Sequence, residues 1–135
     1  MVMDFESFRR PTKPNNYILC DLTSGEPADG PSPVFTVSEK SLKEALIYAL
    51  EGEPRLEFVN IDQDLSCWKI VQRSRVFRFA DDISIKFIPV ENQKNTVKLA
   101  IYSASRVGYS DLGVNKARVS RWLTLLSHSV DVNKK

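Results

Sequence analysis

The sequence predicts an α+β domain: an antiparallel sheet of four to five strands with two helices packed on one face, in the order (β)-α-β-β-β-β-α. Three observations predict it. Two segments carry apolar residues at the 3.6-residue helical period, one early and one at the end of the chain. Between them lie segments that alternate apolar and polar residues with period two, joined by links short enough for antiparallel hairpins. That alternation leaves one polar face, so helices are expected to cover the sheet on one side only.

Taken in order, residues 1–16 are polar, carry Pro11 and Pro14, and read as an N-terminal arm. Residues 17–22 suit one short strand. Residues 23–33 hold three prolines and two glycines and read as a loop. The first helix starts at Ser38, a good N-cap, followed by Glu39 in the first turn. Leu42, Ala45, Leu46, Ala49 and Leu50 form its apolar stripe, and Gly52 and Pro54 stop it. Four strands follow. Leu56, Phe58 and Ile61 belong to one, and residues 68–79 to the next. Ile83, Ile85 and Phe87 alternate in the third, and Val97, Leu99 and Ile101 in the fourth. The links are placed at 63–66, 80–82 and 91–95. The last helix spans about 113–129, with Val114, Ala117, Trp122 and Leu125 on one face and Val119, Leu123 and Leu126 widening it. The single domain is thus 17–130, and 131–135 is expected to fray.

Composition excludes several classes. The chain has 135 residues, 42% of them hydrophobic, with seven Phe, four Tyr and two Trp. A chain of that size buries roughly 65–70% of its unfolded surface without needing staples. It is neither disordered nor disulfide-dense. No apolar run approaches the ~18 residues of a membrane span. The first residues carry acid early and lack an apolar core segment, so no secretory signal is read there. Cys20 and Cys67 sit in apolar surroundings and are expected to be buried free thiols, which points to the cytoplasm.

Net charge is +2, but it is unevenly spread. Residues 1–67 hold six Lys/Arg against twelve Asp/Glu, and residues 68–135 hold thirteen against five. The asymmetry fits two halves that attract each other within one fold, or a basic face for an anionic partner. Nucleic acid is not indicated: no RNA-sheet motif, zinc finger or pair of adjacent helices is present.

The informative region begins where the sheet turns polar. Continuing the inward alternation past Ile101 gives Ser103 and Ser105, and Gln72 and Ser74 continue the Trp68/Ile70 face. Arg73, Arg75 and Arg106 interleave. A core does not need buried hydroxyls, which cost about 1–3 kcal/mol each if left without partners. Gly108 and Gly113 permit unusual backbone angles, and Ser110 or Asp111 can cap the final helix. Its N-terminus offers free N–H groups. Ser103, Ser105, Ser110, Asp111, Gly113 and Asn115 with Arg73, Arg75, Arg106 and Arg118 therefore form a candidate site for a small anion or an acidic protein. The structural alternative uses the same residues. Asp111 caps the helix, Arg106 or Arg118 pairs with Asp111 or Asp82, and Asn115 satisfies loop carbonyls.

These residues also carry a resemblance. Residues 72–123 strongly resemble the bacterial and plastid family known as domain of unknown function 1499. Its hallmark, Ser-x-Ser-Arg-x-Gly-x-Ser-Asp-Leu-Gly-x-Asn before a basic helix, stands intact at 103–115. Phe79, Asp81 and Asp82 match its Phe-x-Asp-Asp turn. Lys13-Pro14-Asn15 and residues 32–35 look like its opening, so the likeness covers about 11–125. Ala104 and Ala80 depart from it, standing where many members carry Arg and Pro. The resemblance implies a fold but no reaction and no catalytic residues.

Other chemistry is weakly marked. His128 is the only histidine and reads as a cation near a helix C-terminus. No His/Cys cluster suits a transition metal, and Asp62/Asp64 read as a turn rather than a calcium loop. No cofactor is implied. Asp81 and Asp82 read as turn residues. The sequence leans away from an enzyme. A catalytic reading would use Asp111 or Asp82 as base, with arginines holding a phosphate or carboxylate substrate. An interaction module working through the open sheet face, around Tyr102 and Phe77, is the other alternative.

Overall fold

The computed structural model describes residues 5, 8–21, 28–62 and 64–133. Parts of the arm, of the loop at 23–33 and of the tail therefore lie outside the described residues. The elements are β1 (Asn16–Leu19), β2 (Val34–Phe35), α1 (Glu39–Leu50), β3 (Leu56–Asn60), β4 (Cys67–Arg73), β5 (Ala80–Pro89), β6 (Val97–Ser105) and α2 (Val114–Asn133). They form one antiparallel sheet in the order β1-β6-β5-β4-β3, with the two-residue β2 also pairing with β6. The α+β class and the element order are as the sequence predicts.

Register explains the core. Ile70 faces Ile83, Trp68 faces Ile85, and Ile85 in turn faces Ile101, so the apolar residues of β4, β5 and β6 share one face. Both helices cover that face. Leu42, Leu46 and Leu50 of α1 and Val119, Trp122, Leu126 and Val130 of α2 close the core with Trp68, Phe87 and Leu99. Ser38 caps α1 as expected, its Oγ accepting from the Ser41 N–H at 3.1 Å. Lys43 is buried on this helix, with its ammonium 2.9 Å from Glu39 and 5.3 Å from the Phe87 ring.

The structure corrects several sequence expectations. The second face of the sheet is not bare. Phe5 and Phe8 of the arm pack with Ile18, Cys20, Ala100 and Tyr102, and the Phe8 and Tyr102 rings lie 4.7 Å apart. Tyr102 is therefore half-buried, and Phe77 lies in a turn rather than on that face. Strand β4 ends at Arg73. The reversal occupies 74–79, closed by the Ser74 N–H donating to the Phe79 carbonyl at 2.9 Å and the Phe79 N–H to the Ser74 hydroxyl at 3.0 Å. The aromatics there mimic a strand pattern but are exposed. Consequently Asp81 and Asp82 lie inside β5 and point to opposite faces, which is strand geometry and not a turn.

Helix α2 also runs past residue 129, because Val130 continues the buried stripe. Its buried face starts with Asn115, Arg118 and Val119, whereas Val114 and Ala117 are exposed. His128 then lies more than a turn from the helix end, too far for the terminal dipole to account for it. Cys20 and Cys67 form no disulfide, the first being buried and the second half-buried. Burial pushes the Cys20 thiol pKa up, which keeps it protonated and unreactive.

Candidate functional site

The polar end of the sheet is built from the C-terminal ends of β4 and β6, the start of β5 and the first turn of α2. Ser103 and Gln72 face the helices as predicted and are buried. The first turn of α2 lies over them, and it supplies polar groups, Asn115 and Arg118, where the rest of the helix supplies apolar ones. Polar helix turn meets polar strand ends, and the two sides hydrogen-bond to each other.

Arg118, with 6% of its surface exposed, is the hub. Its Nε donates to Gln72 Oε1 at 2.6 Å and its Nη2 to Asp81 Oδ2 at 2.7 Å. Its Nη1 donates to Ser103 Oγ at 3.0 Å and to Asn115 Oδ1 at 2.8 Å. Ser103 also donates to Asn115 Oδ1 at 2.6 Å. The Asn115 amide then donates to Asp111 Oδ2, Ser105 Oγ and the Asn15 carbonyl, at 2.7, 3.0 and 3.0 Å. Asp111 caps α2, accepting the Gly113 N–H at 2.8 Å and the Asn115 N–H at 3.2 Å. Gly113 takes φ of +83° and Gly108 +91°, the left-handed region that glycine supplies without strain.

The network continues in both directions. Gln72 Nε2 donates to Glu53 Oε1 at 3.2 Å, and Glu53 also accepts from Trp122 Nε1 at 2.7 Å and Arg121 Nη2 at 2.8 Å. Burial pushes the Glu53 pKa up, but the bonds from Arg121, Trp122 and Gln72 outweigh it and hold the carboxyl below its ordinary value. At the other end Asn15 donates to the Gly108 carbonyl at 2.9 Å, strapping the arm to the hallmark loop.

Arg106 belongs to the opposite face. It grips Asp82 with two bonds, Nε to Oδ2 at 2.8 Å and Nη2 to Oδ1 at 2.7 Å, and Lys69 Nζ lies 3.5 Å from the same carboxylate. Burial raises the Asp82 pKa, yet Arg106 and Lys69 lower it more, so Asp82 is a weaker base than an ordinary carboxylate. The structural alternative thus names the right partner for Arg106, while Arg118 takes Asp81 instead. Ser110 bonds the Leu112 N–H at 3.3 Å. Arg73 lies 3.9 Å from Glu57, and Arg75 is exposed in the 74–79 turn. Of the ten sequence candidates, Ser103, Ser105, Asp111, Gly113, Asn115 and Arg118 come together, Ser110 borders them, and Arg73, Arg75 and Arg106 stand apart.

Two depressions flank this network. One of about 160 Å3 lies between the 74–79 turn and the hallmark loop, with Asp81, Asp111, Ser105 and Ser110 in its wall. The other, of about 440 Å3, opens on the second face between Lys13, Tyr102, Ala104 and Arg106. Among the described residues, no group of three or more His, Cys, Asp or Glu side chains is placed to hold a metal ion. The Asp62 carboxylate accepts the Asp64 N–H at 2.9 Å, as a turn does.

Above the network, the loops expose apolar side chains. Among the described residues, the exposed large hydrophobics concentrate here: Val76, Phe77 and Phe79 in the turn, and Val107, Tyr109, Leu112 and Val114 at the hallmark loop. The Phe77 and Phe79 rings stack 5.4 Å apart. Arg75, Arg78 and Lys116 border them, exposed and without an ion pair to a described residue. Sequence reasoning missed Glu53, Asn15 and Asp81 as members of the network, and Arg78 as a surface cation.

Comparison with known proteins agrees with the hallmark. A family model described as "Protein of unknown function (DUF1499)" matches residues 11–126. No curated protein matches the chain. Among solved structures, the chain is similar to TTHA0849 from Thermus thermophilus, at 10% identity and a TM-score of 0.48, covering 89% of this chain and 99% of that one. Among the described residues no helix is long and apolar enough to cross a membrane.

Proposed function

This chain belongs to the DUF1499 family, and we propose that it is a non-enzymatic binding domain. In this reading the buried side chains of the hallmark segment are a structural frame, and the working surface is the exposed side of its loop and of the 74–79 turn, which receives an anionic partner. One observation carries the reading: the arginines nearest the candidate site are occupied by the protein's own groups, while those on the loops are not. Arg118 donates four hydrogen bonds inside the fold, and Arg106 holds both oxygens of Asp82. Arg75 and Arg78 pair with no described acid and sit beside exposed aromatics. Contiguous apolar surface rimmed by charge marks interaction sites.

The test is retention on immobilised polyglutamate at low salt. Wild type is expected to bind and to elute as salt shortens the screening length. The Arg75→Glu/Arg78→Glu variant is expected to flow through with an unchanged melting temperature. A Lys40→Glu/Lys94→Glu control changes net charge equally at exposed positions away from these loops and should still bind. Equal retention of both variants overturns the reading.

The larger depression supports a second reading, a small anion held between Lys13 and Arg106. Its volume lies within the ~300–1,000 Å3 usual for small-molecule sites. Arg106 would have to share its guanidinium with Asp82, which leaves Lys13 as the uncommitted cation of that wall.

A further inference from the structure

We infer that the anionic partner is a lipid bilayer surface, which the loop end enters by its apolar tips; the inference rests on the reading above and names the partner. Val76, Phe77, Tyr109 and Leu112 are the entering groups, and they are 76%, 72%, 68% and 94% exposed. They stand on two neighbouring loops, whose other residues Phe79, Val107 and Ser110 wall one depression.

Three features favour a bilayer over a folded acidic protein. First, the apolar groups sit on protruding loop tips, and the depression between them is only about 160 Å3 with two carboxylates in its wall. Phe79, Val107 and Val114 share its wall with the carboxylates, but at that volume it seats no partner helix, whereas acyl chains need no groove. Secondly, the backbone donor of one entering residue, Leu112, and those of two other residues on the same pair of loops are already engaged. Ser110 takes the Leu112 N–H, Asp111 takes the Gly113 N–H, and Ser74 takes the Phe79 N–H. Any part of a loop that passes below the headgroups must bring its backbone bonds with it, since the hydrocarbon supplies none. Thirdly, the charge is complementary. Arg75, Arg78 and Lys116 have stems long enough to lie along apolar surface while their heads reach lipid phosphates. Each basic residue near an anionic leaflet raises partitioning about fivefold.

The test uses the full chain and sedimentation with phosphatidylcholine vesicles, with or without phosphatidylserine, alongside the polyglutamate column. Wild type is expected to sediment with the serine-containing vesicles and much less with phosphatidylcholine alone. Phe77→Ser/Leu112→Ser removes exposed apolar side chains without changing charge and should keep the melting temperature. It is expected to lose vesicle binding by more than about tenfold and to keep its retention on polyglutamate. Arg75→Glu/Arg78→Glu is expected to lose both. Retention of wild type on polyglutamate without vesicle binding overturns the lipid assignment and leaves the anionic-partner reading standing, with an acidic protein as the partner. Failure of wild type on both supports overturns both. Vesicle binding that is unaffected by Phe77→Ser/Leu112→Ser, or equal on the two lipid compositions, also overturns the inference.

Discussion

Replacing Arg118 by alanine removes the hub of the buried network and leaves Asp81 without its cation. The side chains of Arg118 and Asp81 are 7% and 12% exposed, so water does little to compensate. Breaking a buried pair by deleting one partner costs about 3–5 kcal/mol. A domain of this size is stable by roughly 5–15 kcal/mol, so the variant should lose about a fifth or more of its stability. At roughly 3–6 °C per kcal/mol, the melting temperature should fall by about 10–25 °C. Trp68 and Trp122 are both buried and report unfolding by fluorescence, which makes urea titration the natural assay. The reasoning also fixes the sign of a second change. Adding Asp81→Asn to Arg118→Ala neutralises the stranded carboxylate and should recover part of the loss. A loss below about 1 kcal/mol, as for an exposed pair, would refute the argument, as would a double variant no more stable than Arg118→Ala.

Three further outcomes follow from the geometry. Glu53 is held below its ordinary value of 4.5, so the unfolded chain takes up that proton first as pH falls. Its stabilisation is complete above about pH 4.5 and disappears as pH falls through the folded value, so acid titration of Glu53→Gln should show a shallower stability loss than wild type. Ser38→Ala removes the cap of α1 and should cost about 1 kcal/mol in urea titration. Gly113→Ala meets no atom within 4 Å but must adopt φ near +83°, so strain alone should cost about 1–2 kcal/mol by the same assay.

Much of this fold is readable from local pattern. The α1 stripe and its Ser38 cap, and the alternation of β5 and β6, depend on residues near one another in sequence. So does the Asp111 cap. The inward turn of Ser103 is the same alternation carried two residues further. The network around Arg118 is less readable. A helical wheel favours Val114 and Ala117 over Asn115 and Arg118, because it cannot see that this turn lies over hydroxyls and amides. Asn115 meets Asn15 across 100 residues, and Arg121 meets Glu53 across 68. No local signal marks such partners. Phe77 and Phe79 look like strand residues because aromatics favour strands, and the Ser74 hydrogen bonds that turn the chain outrank that preference. Lys43 shows the same limit: its charge suggests surface, yet Glu39 and two rings hold it inside.

The central claim is that Arg106 and Arg118 serve the protein's own carboxylates, Asp82 and Asp81, rather than a small anion. Thermal unfolding at fixed ionic strength, in phosphate and in citrate against chloride, tests this directly in wild type and Arg106→Ala. The account predicts that each anion moves the two proteins' melting temperatures equally, which is the signature of general salt effects, with Arg106→Ala melting lower throughout. A rise of several degrees in wild type that is absent from Arg106→Ala would contradict it, because specific binding at 100 times the dissociation constant stabilises by about 2.7 kcal/mol.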